Sequence, residues 1–490
     1  MNAPERRWPA AGIAPQHFIA NRFVAPSDGR TLPMIDPSDG APFAAIARGN
    51  DADVDAAVEA AERARDGAWG RLAPAERGRR LSALSRAIAD RAETLALIEA
   101  RDCGKPLAQA RADVAACARY FEFYAGAPDK LHGTTIPYTD GYAVLTWREP
   151  HGVTGHVIPW NYPLQIFGRS VGAALAAGNA CVVKPAEDAC LSLLRVAELA
   201  AASGLPEGAL NVVTGLGAEA GAALVAHRGV AHVSFTGSPA TGAAVAAAAA
   251  QRHCPVTLEL GGKSPQIVFA DADLDAAVPA IVNAIVQNAG QTCSAGSRLL
   301  VERAIYEPLL ARLGDRFRAL VAAPALSDRD CGPLIRASQL SRVRGFLDDA
   351  RRSGIAIVAT GRVADDAPAG GYYVAPTLLR DVPREHRLAC DEVFGPVLAA
   401  MPFDDEAQAI ALANATDYGL VAGVWTRDGG RQLRVARAVR SGQVFVNNYG
   451  AGGGVELPFG GVKHSGYGRE KGFEALYAFT TLKTIVLRHG

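Results

Sequence analysis

The sequence predicts an α/β protein with two α-β-α domains, each built on a mostly parallel sheet. From residue 152 to 270, short β-branched runs such as "ACVVKP", "LNVVTG" and "HVSFTG" alternate with helical stretches, which is the pattern of right-handed βαβ crossovers. A second alternating region runs from about 265 to 460. The chain has 490 residues, which is more than one core of ordinary size organises, so two or three domains are expected.

Helical periodicity accounts for much of the chain before residue 152. "DADVDAAVEAAERARDGAW" predicts one helix with Asp51 as its N-cap, and "PAERGRRLSALSRAIADRAETLALIEARDCG" contains a second that Gly104 ends. The extended stretch "GYAVLTWREP" follows. Further on, "DACLSLLRVAELAAASG" predicts a helix with Asp188 at its start and Gly204 just past its end. The second alternating region opens with the helix "LDAAVPAIVNAIVQNAG".

Composition excludes several classes of function. The 50 basic and 50 acidic side chains leave no net charge for binding nucleic acid or an anionic membrane, so small molecules or copies of the chain are the expected partners. No secretory signal and no continuous apolar span is recognised. Eight cysteines without a CxxC pair indicate reduced thiols and a cytoplasmic location. The ten histidines have no metal-ligand spacing, and no metal site is predicted.

Polar and glycine residues follow several strands of the first predicted sheet. The stretches "VIPWN", "VVKPAE", "SFTGS" and "LELGG" each end a β-branched run in this way. Ligands of open parallel sheets bind beyond the carboxyl ends of the strands. The sequence therefore predicts a ligand site at that edge.

Seven motifs together resemble the NAD(P)-dependent aldehyde dehydrogenase superfamily, in the order of that family and over nearly the whole chain. They are "PWNYPL", "VVKPAE", "FTGS", "LELGGKSP", "GQTCSAGSR", "EVFGPV" and "PFGGVKHSGYGRE". The resemblance implies two Rossmann-like domains, one for the cofactor and one for catalysis, and a small β oligomerisation arm. The predicted boundaries are 1–130 and 151–262 for the NAD-binding domain, 263–462 for the catalytic domain, and 131–150 with 475–490 for the arm.

Cys293 is the cysteine expected to do chemistry. A buried free cysteine is the ordinary interpretation of most of the eight. Cys293, however, lies among Gly290, Thr292 and other small or polar residues, which suit a tight loop near a ligand. The resemblance makes Cys293 the nucleophile, whose thiolate attacks an aldehyde to give a thiohemiacetal from which hydride leaves.

The resemblance assigns two further catalytic residues. Asn161 is expected to donate to the oxyanion together with the backbone N–H of Cys293, although an asparagine bonding its own turn is the commoner case. Glu259, at the end of the strand "VTLEL", is expected to be the general base that activates water, with a pKa raised by burial. A lone glutamate at a strand end is otherwise usually solvated.

The expected cofactor is NAD, in preference to NADP. Lys184 and Glu187 resemble the pair that binds the adenine-side ribose, where a carboxylate repels a 2′-phosphate. Gly237 and Ser238 begin a helix whose N–H groups suit a pyrophosphate. The remaining residues expected at the cofactor are Ile158, Pro159, Trp160, Gly217, Phe235, Leu260, Glu392 and Phe394, of which Gly217 is expected only at the edge.

The helix after Asn161 is expected to line the aldehyde entry. Tyr162, Gln165 and Arg169 share one face with residue 166, and Thr292 precedes the nucleophile. Many relatives carry an aromatic residue where this chain has Arg169. The hypothesis is that Arg169, helped by Gln165, binds an anionic group of the substrate. The alternative is that Arg169 pairs with a neighbouring acid or faces solvent. Glycines at 450 and 452–454, with Tyr162 to stack on a ring, suit a bulky or aromatic aldehyde.

The predicted activity is NAD-dependent oxidation of an aldehyde, of aromatic or carboxylate-bearing type, to the carboxylic acid through a cysteine thioester. Two alternatives stay open at this point: a coenzyme A-acylating aldehyde dehydrogenase, and a catalytically silent NAD-binding structural protein. A homodimer or homotetramer is expected, paired through the extended segment near 133–150 and the C-terminal strand "FTTLKTIVLRH".

Overall fold

A computed structural model describes residues 14–450 and 454–490. In chain order the strands are β1 (His17–Ile19), β2 (Arg22–Val24), β3 (Thr31–Ile35), β4 (Pro42–Ala47), β5 (Thr135–Ile136), β6 (Tyr142–Pro150), β7 (Val153–Ile158), β8 (Ala180–Pro185), β9 (Leu210–Val212), β10 (His232–Thr236), β11 (Val256–Glu259), β12 (Pro265–Val268), β13 (Arg298–Glu302), β14 (Val321–Ala322), β15 (Ile357–Thr360), β16 (Arg362–Val363), β17 (Thr377–Leu379), β18 (Val397–Phe403), β19 (Val421–Trp425), β20 (Gln443–Val446), β21 (Gly466–Tyr467) and β22 (Thr480–Arg488).

The helices lie between these strands. They are α1 (Asp51–Asp66), α2 (Pro74–Asp90), α3 (Ala92–Cys103), α4 (Leu107–Ala125), α5 (Pro163–Ala177), α6 (Leu191–Ala202), α7 (Ala222–Ala226), α8 (Pro239–Ala250), α9 (Leu274–Val286), α10 (Tyr306–Ala319), α11 (Ala337–Arg352), α12 (Arg387–Cys390), α13 (Glu406–Asn414), α14 (Gly429–Ala438) and α15 (Glu474–Ala478).

Two large sheets organise the chain. The first has eight strands in the order β2-β1-β9-β8-β7-β10-β11-β21, with parallel pairing from β9 through β11. The second has seven strands in the order β15-β17-β18-β13-β12-β19-β20, parallel except where β15 joins. Each sheet has its own apolar core cluster. The predicted α/β class with two mostly parallel sheets is confirmed.

A third, smaller sheet contains the two segments expected to form the arm. β22 pairs antiparallel with β6 over nine residues of each strand, and β5 pairs with the other edge of β6. The domain boundaries given above stay a prediction. β11 ends the parallel part of the first sheet at Glu259, and β12 begins the second sheet at Pro265.

Several predicted helix ends need correction. The N-cap of α1 is Asn50 rather than Asp51, because the Asn50 side chain accepts from the N–H groups of Ala52 and Asp53 while Asp53 accepts from Asn50 in return. The second predicted helix is two helices, α2 and α3, separated by Arg91. Gly104 does end α3, in the left-handed conformation that glycine tolerates.

The start of α6 also differs from the prediction. Asp188 lies outside the helix and pairs with Arg336. The backbone N–H of Leu191, at the first position of the helix, instead donates to the buried carboxylate of Asp102, which comes from the end of α3. A distant side chain therefore binds the free N–H of this helix, which local sequence patterns do not reveal. Gly204 does lie just past the end of α6, with a positive φ.

Candidate active site

Two cavities meet at one cysteine. The wide cleft has a volume of about 320 Å³ and opens at the carboxyl ends of β7, β10 and β11. Its lining is Pro159, Trp160, Asn161, Thr236, Gly237, Ser238, Pro239, Glu259, Leu260, Gly261, Cys293, Gln339, Arg342, Glu392, Phe394 and Tyr418. The inner cavity is lined by Tyr120, Asn161, Tyr162, Gln165, Ile166, Arg169, Gln287, Thr292, Cys293, Ser294, Phe459 and Lys471. Asn161 and Cys293 belong to both linings.

An irregular loop presents Cys293 to both cavities. After α9, Asn288 and Ala289 adopt left-handed conformations and are followed by Gly290 at φ 73°. A Cβ on Gly290 would lie 2.2 Å from the carbonyl oxygen of Gly395, so only glycine fits there. The Asn288 amide donates to the backbone oxygen of Asn161 at 2.9 Å, which joins this loop to the start of α5.

Cys293 is partly accessible, unlike most of the eight free thiols. Burial of the sulfur is the largest effect on its pKa and raises it to about 12, against the lowering effect of Arg169. Glu392 and Glu259 raise the pKa further. The resting side chain is therefore a thiol, and its reaction as a nucleophile needs a proton acceptor nearby.

Glu259 supplies a carboxyl group of unusual basicity. It ends β11, is 2 % exposed, and neither of its oxygens has a hydrogen-bond partner among the described residues. Desolvation by burial raises its pKa well above the ordinary value, although the nearby charge of Arg169 lowers it. A carboxylate with a raised pKa is a stronger base than a solvated one.

Asn161 has its amide at the junction of the cavities. It follows β7, is 4 % exposed, and donates one N–H to the backbone oxygen of Gln291 at 2.9 Å. Gln291 is fixed in turn, because its side-chain oxygen accepts from the N–H of Ile335. An amide nitrogen carries two donors. The second points to no acceptor among the described residues, which leaves it for an oxygen bound beside Cys293.

Glu392 lies on the opposite wall of the wide cleft. It accepts from the backbone N–H of Gly262 at 2.9 Å, and a Cβ on Gly262 would lie 2.3 Å from the carbonyl oxygen of Cys293. Glycine is therefore required where the strand end passes between these groups. Burial raises the pKa of Glu392 to about 7. Phe394 packs edge-to-face on Trp160 with ring centroids 5.4 Å apart, in a left-handed conformation that is strained for phenylalanine.

A lysine–glutamate pair, neither member of which is among the lining residues of the two cavities, lies at the carboxyl end of β8. Lys184 is the last residue but one of β8, and its Nζ lies 3.1 Å from the carboxylate of Glu187. Burial raises the pKa of Glu187, but Lys184 and smaller effects outweigh it, so the pKa is lowered and the carboxylate is ionised. Gly217 begins the turn whose backbone passes near Lys184, since a Cβ on this glycine would lie 3.9 Å from Nζ.

The helix α8 begins at the edge of the wide cleft. Ser238 is its N-cap and accepts from the N–H of Thr241, while Gly237 precedes it. No acidic residue lies in its first turn, so its free N–H groups are available to an anion. Ile158 and Phe235 lie in β7 and β10 behind these loops, both buried, and do not line the cleft themselves.

The side chain of Tyr162 holds the loop that carries Cys293 in place and is less available for contact with a substrate. Its hydroxyl oxygen accepts from the amides of Gln109 and Gln287, so its proton goes to the hydroxyl of Thr292 at 2.8 Å. The ammonium of Lys105 lies 4.6 Å from the centroid of the Tyr162 ring. That face of the ring is therefore not available for stacking on a substrate.

Arg169 lines the inner cavity and is paired with a buried acid. Its guanidinium forms an ion pair with Glu470 and donates to the hydroxyl of Thr236 at 3.3 Å. This pairing with a neighbouring acid is the alternative given in the sequence analysis. It uses some of the guanidinium N–H donors that Arg169 would need to bind an anionic group of the substrate. Gln165 likewise donates to the carboxylate of Asp113 at 2.7 Å, which leaves its carbonyl oxygen toward the cavity.

A chain of buried hydrogen bonds holds Glu470 from behind. Ser234 donates to Glu470 at 2.7 Å, Ser170 donates to Ser234 at 3.1 Å, and His156 lies 2.5 Å from Ser170. With the Ser170 proton directed to Ser234, His156 donates from Nδ1 and accepts at Nε2 from Thr154, 2.8 Å away. Every donor in this chain points toward the carboxylate.

Sequence reasoning missed part of both linings. Gln339 and Arg342 reach the wide cleft from α11, and Tyr418 reaches it from the loop before β19. Tyr120 and Lys471 were missed in the inner cavity, as was Phe459. The three-residue spacing of Gln339 and Arg342 indicates that they share one face of a helix. The sequence does not indicate which edge of which sheet that face contacts.

Other kinds of site find no support in the described parts of the chain. No group of three or more histidine, cysteine, aspartate or glutamate side chains is arranged to hold a metal ion there. None of the described helices is both long and apolar enough to cross a membrane. The glycines expected at 452 and 453 lie outside the described residues, while Gly450 and Gly454 are exposed.

The geometry fits the class of oxidoreductases that use a cysteine nucleophile. A thiol, an amide donor and a basic carboxyl share a cleft that begins at the ends of parallel strands and has a helix N-terminus at its edge. Such a cleft is the usual dinucleotide position in open α/β sheets. The reacting end of a small molecule would enter from the inner cavity.

Comparison with known proteins identifies the family. The model of the aldehyde dehydrogenase family matches residues 23–485, so the chain belongs to this family. A betaine aldehyde dehydrogenase of Cereibacter sphaeroides is 43% identical over 487 residues, 99% of each chain. The structure of a proposed aldehyde dehydrogenase from Burkholderia cenocepacia has a TM-score of 0.96 and 69% identity, and covers 97% of this chain and 100% of its own.

A structure that contains the cofactor is also similar. The NAD+ complex of an aldehyde dehydrogenase from Bacillus cereus has a TM-score of 0.95 and 38% identity, with 98% of each chain covered. The predicted family and enzyme class are confirmed: the chain is an aldehyde-oxidising oxidoreductase of a family whose members bind NAD+.

Proposed function

We propose that this protein oxidises an aldehyde to the carboxylic acid with NAD, through a thioester on Cys293 that Glu259 helps to hydrolyse. The observation that carries the proposal is the meeting of two cavities at Cys293 and Asn161. One cavity suits the dinucleotide and the other suits the aldehyde. A nucleophile at their junction contacts both.

The residues of the wide cleft, together with the Lys184–Glu187 pair outside its lining, fit NAD. The ionised carboxylate of Glu187, held by Lys184, would accept from ribose hydroxyls and repel a 2′-phosphate, which favours NAD over NADP. The free N–H groups at Ser238 would hold the pyrophosphate, and Glu392 the second ribose. The nicotinamide ring would lie between Trp160, Leu260 and Phe394, which line the same cleft. When bound, NAD supplies the acceptor for the hydride that leaves the substrate carbon.

In the first half-reaction, Cys293 attacks the aldehyde carbon. Its thiol gives up a proton, for which the basic carboxylate of Glu259 in the same cleft is the acceptor. The carbonyl oxygen becomes an oxyanion, and the free amide N–H of Asn161 and the backbone N–H of Cys293 donate to it. Loss of hydride from this thiohemiacetal leaves a thioester on Cys293.

In the second half-reaction, Glu259 first releases the proton of Cys293 to solvent and then, as a carboxylate again, activates water. A carboxylate whose pKa is raised by burial takes a proton from water more readily than a solvated one does. The hydroxide attacks the thioester carbon, the C–S bond breaks, and Cys293 regains a proton as the acid leaves. Asn161 stabilises the second oxyanion as it did the first.

The two alternatives are less well supported. A coenzyme A-acylating enzyme gains nothing from a hydrolytic base, because such a base consumes the thioester before coenzyme A arrives. A silent NAD-binding protein has no need of a thiol, an amide donor and a basic carboxyl around one cleft. The retained Cys293, Asn161 and Glu259 therefore favour hydrolysis.

We also propose a homo-oligomer and a cytoplasmic location. β22 is a nine-residue edge strand, and Leu482 and Val486 on it are more than half exposed. An apolar edge of this length needs cover, and a second copy of the chain is the simplest source. The cytoplasmic location is supported by the eight cysteines, all of them free thiols.

One assay tests the function and separates the alternatives. We expect wild-type protein to form NADH from a panel of aliphatic, aromatic and acid-bearing aldehydes without coenzyme A, and Cys293→Ala to form none. Mass spectrometry after quenched turnover should find the acyl group on Cys293. NADH formation that requires coenzyme A would support the acylating alternative, and an acyl group on another side chain would refute the mechanism.

A further inference from the structure

The side chain of Gln109 contacts the two segments that carry the oxyanion donor and the nucleophile. Gln109 lies in the first turn of α4, is half-buried, and is among the described lining residues of neither cavity. Its amide nitrogen donates to the hydroxyl oxygen of Tyr162 at 2.9 Å, and its amide oxygen accepts from the backbone N–H of Asn288 at 2.9 Å. Tyr162 directly precedes α5, and Asn288 belongs to the loop that carries Cys293. Gln109 therefore joins these two segments from outside the cavities.

The orientation of the Gln109 amide is fixed by its partners. A backbone N–H can only donate, so the atom of Gln109 that faces Asn288 is the oxygen. The nitrogen then faces Tyr162, whose hydroxyl donates its own proton to Thr292 at 2.8 Å. Thr292 directly precedes Cys293. Two hydrogen bonds in series therefore lead from Gln109 to the neighbour of the nucleophile.

The contact with Asn288 closes a ring of hydrogen bonds. The side chain of Asn288 donates to the backbone oxygen of Asn161 at 2.9 Å, and the next residue after Asn161 is Tyr162, the other partner of Gln109. Asn288 and Ala289 have φ values of 50° and 53°, a left-handed conformation that is unfavourable for residues with a side chain. Asn288 is also 2 % exposed, so its N–H needs an acceptor within the protein. Gln109 supplies that acceptor.

We infer that Gln109 is a positioning residue, which sets the distance between the sulfur of Cys293 and the free amide N–H of Asn161 through this ring of hydrogen bonds. The inference rests on the proposed function and adds to it a residue that contacts neither the aldehyde nor the cofactor. The oxyanion forms on a carbon bonded to Cys293 and accepts from Asn161, so the two side chains must keep their separation during the reaction. Misplacement of a reacting group by about 1 Å can cost on the order of 10²-fold in rate.

Two variants at position 109 test the inference. Gln109→Met keeps the length of the side chain but removes both hydrogen bonds, so the rate of NADH formation in a single turnover should fall by ~10–100-fold. The dissociation constant of NAD, measured by fluorescence titration, should stay near the wild-type value, because the ring includes none of the residues proposed to hold the cofactor. Gln109→Glu should retain most of the wild-type rate, since two carboxylate oxygens can accept from Asn288 and from Tyr162.

Hydrogen exchange gives a readout that does not depend on turnover. The Asn288 amide should exchange slowly in wild type, because its N–H is buried and bonded to Gln109. Gln109→Met should speed this exchange by about 10-fold or more, whereas Gln109→Glu should leave it near the wild-type rate. Gln251→Met, at an exposed glutamine just past the end of α8, is the matched control and should leave both the single-turnover rate and the exchange rate as in wild type.

The outcomes are separable. Equal single-turnover rates in wild type and Gln109→Met would overturn the inference. Equal losses in Gln109→Met and Gln109→Glu would also overturn it, because packing and not hydrogen bonding would then account for the effect. An Asn288 amide that exchanges as fast as exposed amides in wild type would overturn it without any variant, even if Gln109→Met fails to fold. No NADH from any aldehyde with wild type would instead contradict the proposed function, and the exchange rates would still decide whether Gln109 holds the loop.

Discussion

At the scale of single residues, the site depends on burial that shifts acid–base behaviour. Cys293 and Glu259 both have raised pKa values because water is excluded from around them. Burial disfavours the charged forms of the thiol and the carboxyl. The thiol becomes a strong nucleophile when its proton moves to the carboxylate. Arg169 opposes both shifts, so the ion pair with Glu470 sets the charge that the two groups experience.

The role of Glu259 leads to a prediction about turnover. Glu259→Gln keeps the size of the side chain but removes the base, so kcat should fall by ~10²–10⁴-fold. Quenched samples should contain acylated Cys293 wherever hydrolysis has become the slow step. Glu474→Gln, at an exposed glutamate, is the matched control and should retain wild-type kcat. A Glu259→Gln enzyme within a few fold of wild type would remove Glu259 from the mechanism.

At the scale of elements, the first sheet carries a polar chain through its core. His156 in β7 and Ser234 in β10 lie on adjacent parallel strands and meet Ser170 of α5 between them. Burial lowers the pKa of His156 to about 3, so the imidazole is neutral in the folded protein. This series of hydrogen bonds joins β7, α5 and β10 to the carboxylate of Glu470.

This neutral histidine predicts how stability depends on pH. An unfolded His156 titrates near 6.5, whereas the folded one stays neutral down to about 3. Between these values the unfolded state binds the extra proton, so the free energy of unfolding falls as pH falls, by up to ~1.4 kcal/mol per pH unit. Relative to wild type, His156→Gln should reduce this slope in denaturant melts between pH 7 and pH 5.

The control for this prediction is an exposed histidine. His464→Gln, with a side chain 69% exposed, should keep the wild-type slope. Because both measurements are differences from wild type, the contributions of all other titrating groups cancel. Equal slopes for wild type and His156→Gln would show that His156 is not protonated on unfolding in this range.

Periodicity and motifs predicted the elements better than the contacts between them. The alternating strands and helices, and the face of α5 with Tyr162, Gln165 and Arg169, follow from local spacing, and all three residues line the inner cavity. The pairing of Arg169 with Glu470 joins positions 301 residues apart, which no local pattern encodes. Lys471 was missed for the same reason, since its cavity is formed by α5, the cysteine loop and the C-terminal segment.

At the scale of the whole molecule, the three-stranded sheet of β22, β6 and β5, the expected arm, has exposed apolar residues on its edge strand β22. β22 forms one edge of its three-stranded sheet, and Trp147 on β6 is 52% exposed. Long exposed edges of this kind associate unless they are covered. The third sheet is thus where we place the contact of the proposed homo-oligomer.

The arm leads to a prediction about assembly. Leu482→Lys combined with Val486→Lys adds two charges to the edge strand, so the molar mass measured by light scattering should fall toward that of one chain, 51.1 kDa. Leu433→Lys, at a leucine on α14 that is even more exposed, should leave the mass as in wild type. A double variant with unchanged mass would place the interface elsewhere.

The C-terminal segment belongs to the site and to the arm at once. Lys471 lines the inner cavity, and Glu470 pairs with Arg169 on its wall. Only the short helix α15 separates these two residues from β22, which starts at Thr480. We expect an event that loosens β22 to disturb the counter-ion of Arg169, Glu470, which lies about ten residues before it. Quaternary structure and catalytic power would then be thermodynamically linked, so that dissociated protomers would be weaker catalysts than assembled ones.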